Sequence, residues 1–528
     1  PGFYPDPSVC RVGEDYYLTT STFEWSPGCP VFHSRDLVNW RQIGNALTTQ
    51  EQLPLAGLGP SSGVFAPTLR HHAGRFYLIT TIVDMAAQTF RNFIVTAEDP
   101  GGTWSAPVVL PGVERIDPDI FFDDDGRVWI SGNRFPGEDA PAAGGNREIW
   151  LRELDPRTLL PAGEPRGIWW GAQQHAGTPE APHIFKKDGW YWLLTAEGGT
   201  GFEHCVCVAR SREVTGPYEG CPRNPILTHR HLGLDYPITG TGHADLVRTQ
   251  KGEWWMVLLA CRPVDGLSLL GRETFLAPVD WPEGDWPVVN PGKGIVEFSG
   301  TSPDLPPSPV AAEPAHDDFQ GETLPPHWCH LFNPPEPFWE TGRDGLRLRP
   351  SPVFLEDGGS PALLARRVRH HRFTAQTELS PPGDGAVETG MVLFQNHSNH
   401  LRLALLREAE VEKVRLLRVR KGEVSILAEA PLPPPDQPGA AGRRLRFRIE
   451  GKGLDVAFAA WAEGRPVLTT PPVDAGFLAA ALAGGFTGIM TGVFASSGPA
   501  EASVDPVSVE FFDYKALETS GNDDDDGS

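Results

Sequence analysis

PDPSVCR (residues 5–11), FAPTLRH (65–71), DPDIFFD (117–123), EAPHIFK (180–186) and GHADLVR (242–248) read as five versions of one short strand. Each is followed by a turn residue and an aromatic, apolar strand: GEDYYLTT, GRFYLITT, GRVWISGN, GWYWLLTA and GEWWMVLL. The aligned aromatics are Tyr17, Tyr77, Trp129, Trp192 and Trp255, separated by 60, 52, 63 and 63 residues. Four strands of about 5–6 residues with their loops occupy roughly 40–60 residues, so this period predicts a repeated four-stranded sheet. Five such units predict a five-bladed β-propeller.

Counting back 11 residues from Tyr17, and 12 from each of the other four aromatics, lands on Asp6, Phe65, Asp117, Glu180 and His243. Equivalent positions of a closed ring are equivalent in space, so these side chains are expected to converge near the propeller axis. Carboxylates meeting in a partly closed site repel one another, which raises at least one pKa and leaves that group protonated while others stay ionised. A general acid and general base need that split near neutral pH. Read singly, Asp6 and Asp117, both followed by proline, are also ordinary turn caps, and Glu180 an ordinary strand end. Their matching repeat positions favour a site.

Composition supports an all-β chain of more than one domain. The 528 residues include 58 glycines, 53 prolines and 10% aromatics, which suits many short strands joined by tight turns. A net charge of −23 argues against a nucleic-acid partner. The most apolar run, residues 476–486, is about half the ~20 residues of a membrane helix, so a soluble chain without a membrane partner is expected. Seven cysteines are an odd count, and Cys205 and Cys207, on one face of a strand, read as buried apolar residues rather than a metal pair. The chain opens on Pro1 without a leader, so the native start is expected to be missing; secretion and a cytoplasmic location both remain open, as does the oligomeric state.

The Pro-rich stretch 301–315 marks a linker between a catalytic propeller (1–300) and a second domain (316–517). Strands such as RLRFRIE, LRLALLR, VRLLRVR and SVEFFDY predict an antiparallel β-sandwich there. Residues 518–528, ending GNDDDDGS, are expected to be a disordered acidic tail. No serine-nucleophile motif, phosphate-cradling loop or metal-type cysteine cluster competes for function.

The stretches GFYPDPS, STFEW, GVFAP, IDPDIFFDDDG, PEAPHIFKKDG, AEGGTGFEH, GTGHADLV and LGRETF, in that order over residues 1 to about 300, resemble glycoside hydrolase family 43, in its β-xylosidase and α-L-arabinofuranosidase branch. The resemblance implies hydrolysis with inversion at the anomeric carbon, with the general base on Asp6, the general acid on Glu180, and Asp117 orienting the acid and maintaining its raised pKa. It places Arg272 on sugar hydroxyls and Phe23 and Phe65 as aromatic walls. Many relatives carry Trp where this chain has Phe65. Trp25 is a further candidate for the rim, with a core position as the alternative. His243 matches an axial histidine that contacts calcium in several members; a lone histidine is also an ordinary hydrogen-bond partner. The run Asp123-Asp124-Asp125-Gly126 reads as a hairpin turn rather than a calcium loop.

HDDFQGETLPPHW and FTGIMTGVF resemble the concanavalin-like sandwich that follows the propeller in this branch. In that branch a sandwich loop closes the pocket, and Phe486 is the candidate contact here, against the alternative of a core phenylalanine. The expected activity is exo-acting release of xylose from the non-reducing ends of xylo-oligosaccharides or arabinoxylan fragments, with α-L-arabinofuranosidase activity beside it and no cofactor required. Arabinofuranosidase as the main activity, an arabinan-degrading endo-enzyme, and a non-catalytic carbohydrate-binding propeller are the alternatives.

Overall fold

The structure is a computed structural model, and it describes residues 1–137, 146–173, 178–382, 388–408, 411–433, 443–498 and 505–517. The acidic tail expected at 518–528 lies outside the described residues. The only α-helix among them is the four-residue Ala480–Ala483, and no helix is long and apolar enough to cross a membrane.

Five antiparallel sheets follow one another through residues 8–289. Their innermost strands are Ser8–Val12, Thr68–His72, Asp119–Phe122, Glu180–Lys187 and Thr239–Arg248. Each pairs with the aromatic strand that follows it, and each packs beside the next, the last meeting the first. The ring is closed, as a five-bladed propeller requires. Asp123 to Gly126 form the hairpin turn between Asp119–Phe122 and Val128–Arg134, with Gly126 at φ 86°.

The second half stacks a nine-stranded and a six-stranded antiparallel sheet around an apolar core that includes Leu346, Leu403, Phe447, Ile449, Phe458 and Phe512. The alternating pattern of Arg372–Ser380, buried at every second residue, follows from one face meeting that core and the other meeting solvent.

The segment joining the halves is not a free tether. Among the described residues no strand or helix lies between Val289 and His316, yet Leu305 packs with Val9, Tyr16, Val247 and Trp255 of the first and fifth blades. The backbone N–H of Ser308 also donates to Asp36. Proline removes backbone donors, but it does not stop an intervening leucine from finding a core.

The halves share a further cluster containing Phe3, Phe23, Trp25, Leu331, Phe332, Phe394 and Phe494. Strand Trp25–Ser26 pairs with His330–Leu331 across the junction. Each large side chain buried there contributes about 1.5–3 kcal/mol relative to exposure, so the halves are docked rather than merely tethered. Trp25, expected as a candidate at the sugar-binding rim, is instead fully buried and meets Phe394 edge-on at 5.9 Å. Its size and apolar ring seal the junction. All seven cysteines are free thiols, with Cys205 and Cys207 in the core.

Candidate active site

The strand pairings refine the fivefold register. Tyr17, Trp129 and Trp255 face Cys10, Phe121 and Val247, each four residues after Asp6, Asp117 and His243. Tyr77 and Trp192 face Arg70 and Phe185, whose four-residue counterparts are Ala66 and Ala181 rather than Phe65 and Glu180. The five predicted residues are therefore not strictly equivalent: Phe65 and Glu180 each stand one residue earlier. The irregularity in the pairing of Glu180–Lys187 falls between Glu180 and His183. A one-residue offset turns a side chain to the other face of its strand, which separates Glu180 from the Asp6–Asp117–His243 set.

Asp6, Asp117, Ala181 and His243 share a backbone signature, with φ of 55°, 57°, 48° and 44°. Left-handed backbone is disfavoured for any residue with a Cβ and least so for Asp, Asn and His, so the fold holds mild strain at the same point of four blades.

Asp6 is buried and enclosed by donors. Arg272 donates to it at 2.8 Å, Ser21 donates through its hydroxyl, and the His243 ring stands 3.5 Å away. Burial alone would raise its pKa, but Arg272, His243 and the Ser21 bond outweigh burial and hold it below the ordinary carboxylate value. Asp117 is also buried, and burial, then Glu180, then Asp6 push it well above that value. Glu180 keeps part of its surface open, and burial followed by the charge of Asp6 raises it to about 7. Burial and the charge of Asp6 raise both carboxyls, and Glu180 raises Asp117 further.

Aromatic walls close over this centre. Phe23 and Phe65 meet at 4.9 Å, and Phe486, from the second half, stacks on Phe23 at 5.3 Å and meets Phe65 edge-on at 5.7 Å. The Arg272 guanidinium lies 5.5 Å from the Phe23 ring and 5.7 Å from that of Phe486. Backbone contact makes this reach possible: a Cβ on Gly271 would stand 2.8 Å from the Cα of Gly488, so two glycines allow the segments carrying Arg272 and Phe486 to touch. Phe486→Ala is expected to lower kcat/KM roughly tenfold or more, mostly through KM, because the variant loses wall rather than chemistry. Initial rates on an aryl xyloside check this; an unchanged KM would remove Phe486 from the pocket.

Several neighbours were not singled out from the sequence. Ser21 and Thr200, the latter accepting from Arg272 at 2.9 Å, lie in the stretches STFEW and AEGGTGFEH but are small polar residues without a pattern of their own. His204 is buried and lowered to about 3 by burial, then by His243 and Arg272, and so stays neutral. Its ring occupies the space that a Cβ on Gly242 would need. Phe135 is 56% exposed and carries Arg115 at 4.0 Å and Arg147 at 3.8 Å against its ring; Arg147 also pulls on the charge of Glu180. An exposed aromatic near a carboxyl has no periodicity to betray it.

Among the described residues no group of three or more His, Cys, Asp or Glu side chains is arranged to hold a metal. Calcium prefers six to eight oxygens. Near His243, Asp6 is taken by Arg272 and Asp245 by Arg70, so this donor set does not fit a calcium ion.

A carboxylate held below its ordinary pKa beside a carboxyl raised to about 7, with aromatic rings over them, is the kind of arrangement that glycoside hydrolases use. The chain belongs to glycosyl hydrolases family 43, whose model matches residues 1–287. Residues 316–515 match the β-xylosidase C-terminal concanavalin A-like domain. A xylosidase/arabinosidase of Butyrivibrio fibrisolvens is 42% identical over 505 residues, 94% of each chain. A non-reducing end α-L-arabinofuranosidase of Bacteroides ovatus is 37% identical over 98% of this chain and 94% of the relative. Among solved structures, a xylan β-1,4-xylosidase from Bacillus halodurans C-125 has a TM-score of 0.89 at 33% identity, covering 98% of each chain.

Proposed function

We propose that this glycosidase releases single xylose units from the non-reducing ends of xylo-oligosaccharides with inversion, and that it also cleaves α-L-arabinofuranosides. The observation carrying this reading is the electrostatic split at the axis, with Asp6 held ionised beside Arg272 while Glu180 is held protonated to about 7. Asp6 takes a proton from water as the water oxygen bonds the anomeric carbon. The bond from that carbon to the leaving oxygen breaks, and Glu180 gives its proton to that oxygen. Asp117, bonded by the backbone N–H of Ala181, positions the start of the strand that bears Glu180.

Arg272 and Thr200 face the sugar hydroxyls, and Phe23, Phe65 and Phe486 pack on its apolar faces. Phe135 offers a platform to the departing unit. Closure by Phe486 favours removal of terminal units over cleavage within a chain. D-Xylopyranose and L-arabinofuranose can present similar hydroxyl arrangements, and the names of the Butyrivibrio and Bacteroides relatives cover both pentosides.

Proton NMR of freshly released sugar tests the reading. A β-xyloside should yield α-xylose first, before mutarotation mixes the anomers; β-xylose first would mean retention and would remove Asp6 as the water-activating base. Initial rates on aryl β-D-xylopyranoside and aryl α-L-arabinofuranoside decide the main activity. Faster arabinofuranoside turnover would favour the second reading, to which the Bacteroides relative points.

A further inference from the structure

Two residues beyond Asp6, Ala66, Asp117, Ala181 and His243 lie Ser8, Thr68, Asp119, His183 and Asp245, one from each blade. Irregular pairing between Glu180 and His183 and between Gly242 and Asp245 breaks simple alternation, so the second axial layer rests on contacts: Ser8, Asp119, His183 and Asp245 all lie within 3.4 Å of one guanidinium. All five are polar and buried. Two are carboxylates, and a buried pair of carboxylates without a cation would be costly.

The cation is Arg70, two residues further along the second blade. Its guanidinium donates to Asp245 at 2.8 Å, to Asp119 at 2.9 Å and to Nδ1 of His183 at 2.9 Å, and it reaches Ser8 at 3.4 Å. Ser8 also donates to Asp245 at 2.8 Å, and backbone N–H groups complete the layer, that of Val9 donating to Asp245 at 3.0 Å and that of Ile184 to Asp119 at 3.0 Å. Below, the guanidinium lies 5.9 Å from the Phe185 ring. The first, third, fourth and fifth blades, which carry Asp6, Asp117, Glu180 and His243, are thus joined through one side chain of the second.

We infer that Arg70 is a fixed axial cation, occupying the role a metal ion would have on the propeller axis, and that it is a positioning residue for the carboxylate ring above it. A planar, permanently charged fork suits this task, since it bridges several acceptors in set directions without dissociating. The inference rests on the proposed roles of Asp6 and Glu180 only for its effect on rate. Its metal independence stands apart from them and is read by thermal denaturation.

The test compares the full-length protein with Arg70→Ala and Arg70→Lys, each after treatment with EDTA and again with millimolar calcium. Wild-type Tm and kcat are expected to be indifferent to both treatments. Arg70→Ala opens a space lined by Asp119, Asp245, Ser8 and His183. It is expected to lose about 5 °C or more in Tm and tenfold or more in kcat, with KM little changed. Calcium, but not sodium chloride of equal ionic strength, should restore part of both losses by replacing the missing charge. A wild-type protein that needs calcium, an alanine variant as stable and active as wild type, or an alanine variant whose losses calcium does not touch would each overturn the inference. If the alanine variant does not fold, Arg70→Lys decides. A folded, calcium-indifferent lysine variant with reduced kcat supports a fixed cation; one that gains Tm on adding calcium overturns it. Loss of the proposed acid and base roles would leave these thermal outcomes unchanged.

Discussion

Asp6→Asn is expected to lower kcat by roughly 10²–10⁴ on every substrate, because water must lose a proton whatever group departs. Asparagine is the informative replacement. The φ of 55° at this position is tolerated by Asn nearly as well as by Asp, whereas alanine would add backbone strain to the loss of the base. The amide oxygen can still accept from Arg272, so that guanidinium, donating at 2.8 Å in the native site, keeps a partner. The loss should therefore be chemical, with KM moving little. Steady-state rates on xylobiose and on an aryl xyloside, with circular dichroism to verify folding, provide the measurement. A variant within tenfold of wild type on both substrates would exclude Asp6 as the base.

Glu180→Ala is expected to divide substrates by leaving group. On xylobiose, where a sugar oxygen must be protonated as it departs, kcat should fall by roughly 10²–10⁴. On an aryl glycoside with a stable phenolate, far more activity should survive. The pH profile supplies the second readout. Glu180 must hold its proton, so native activity should decline as pH rises through about 7. Asp6 must be ionised, and its pKa is lowered, so the acid limb should lie below the ordinary carboxylate value of 3.8. In Glu180→Ala the alkaline limb should disappear with the aryl substrate while the acid limb stays. Equal losses on both substrates, or an alkaline limb that persists near 7, would point to another acid.

Both results depend on a site only partly legible in the linear chain. Asp6, Asp117 and His243 are legible because each stands four residues before the residue that faces the aligned aromatic of its blade. For Phe65 and Glu180 the count is one residue off the paired register, because the aromatic faces the residue seven positions before it in the first, second and fourth blades and eight before it in the third and fifth. Trp25 reads as rim or core in the sequence, because an aromatic that walls a sugar and one that seals a core look alike until their neighbours are known; here the neighbour is Phe394, 369 residues away.

Strand periodicity, turn residues and the fivefold spacing sufficed by themselves to determine an all-β chain with a propeller before a sandwich, because alternating burial and tight turns are local properties of a chain. Only the tertiary structure brings together the groups that set the carboxyl pKa values and the rings that meet over them. Those outcomes depend on charges and surfaces brought together from distant segments: Arg272 against Asp6, Phe486 against Phe23, and Arg70 between Asp119 and Asp245. A pKa is set by the summed field and burial at one point in space, and no spacing along the sequence encodes that sum.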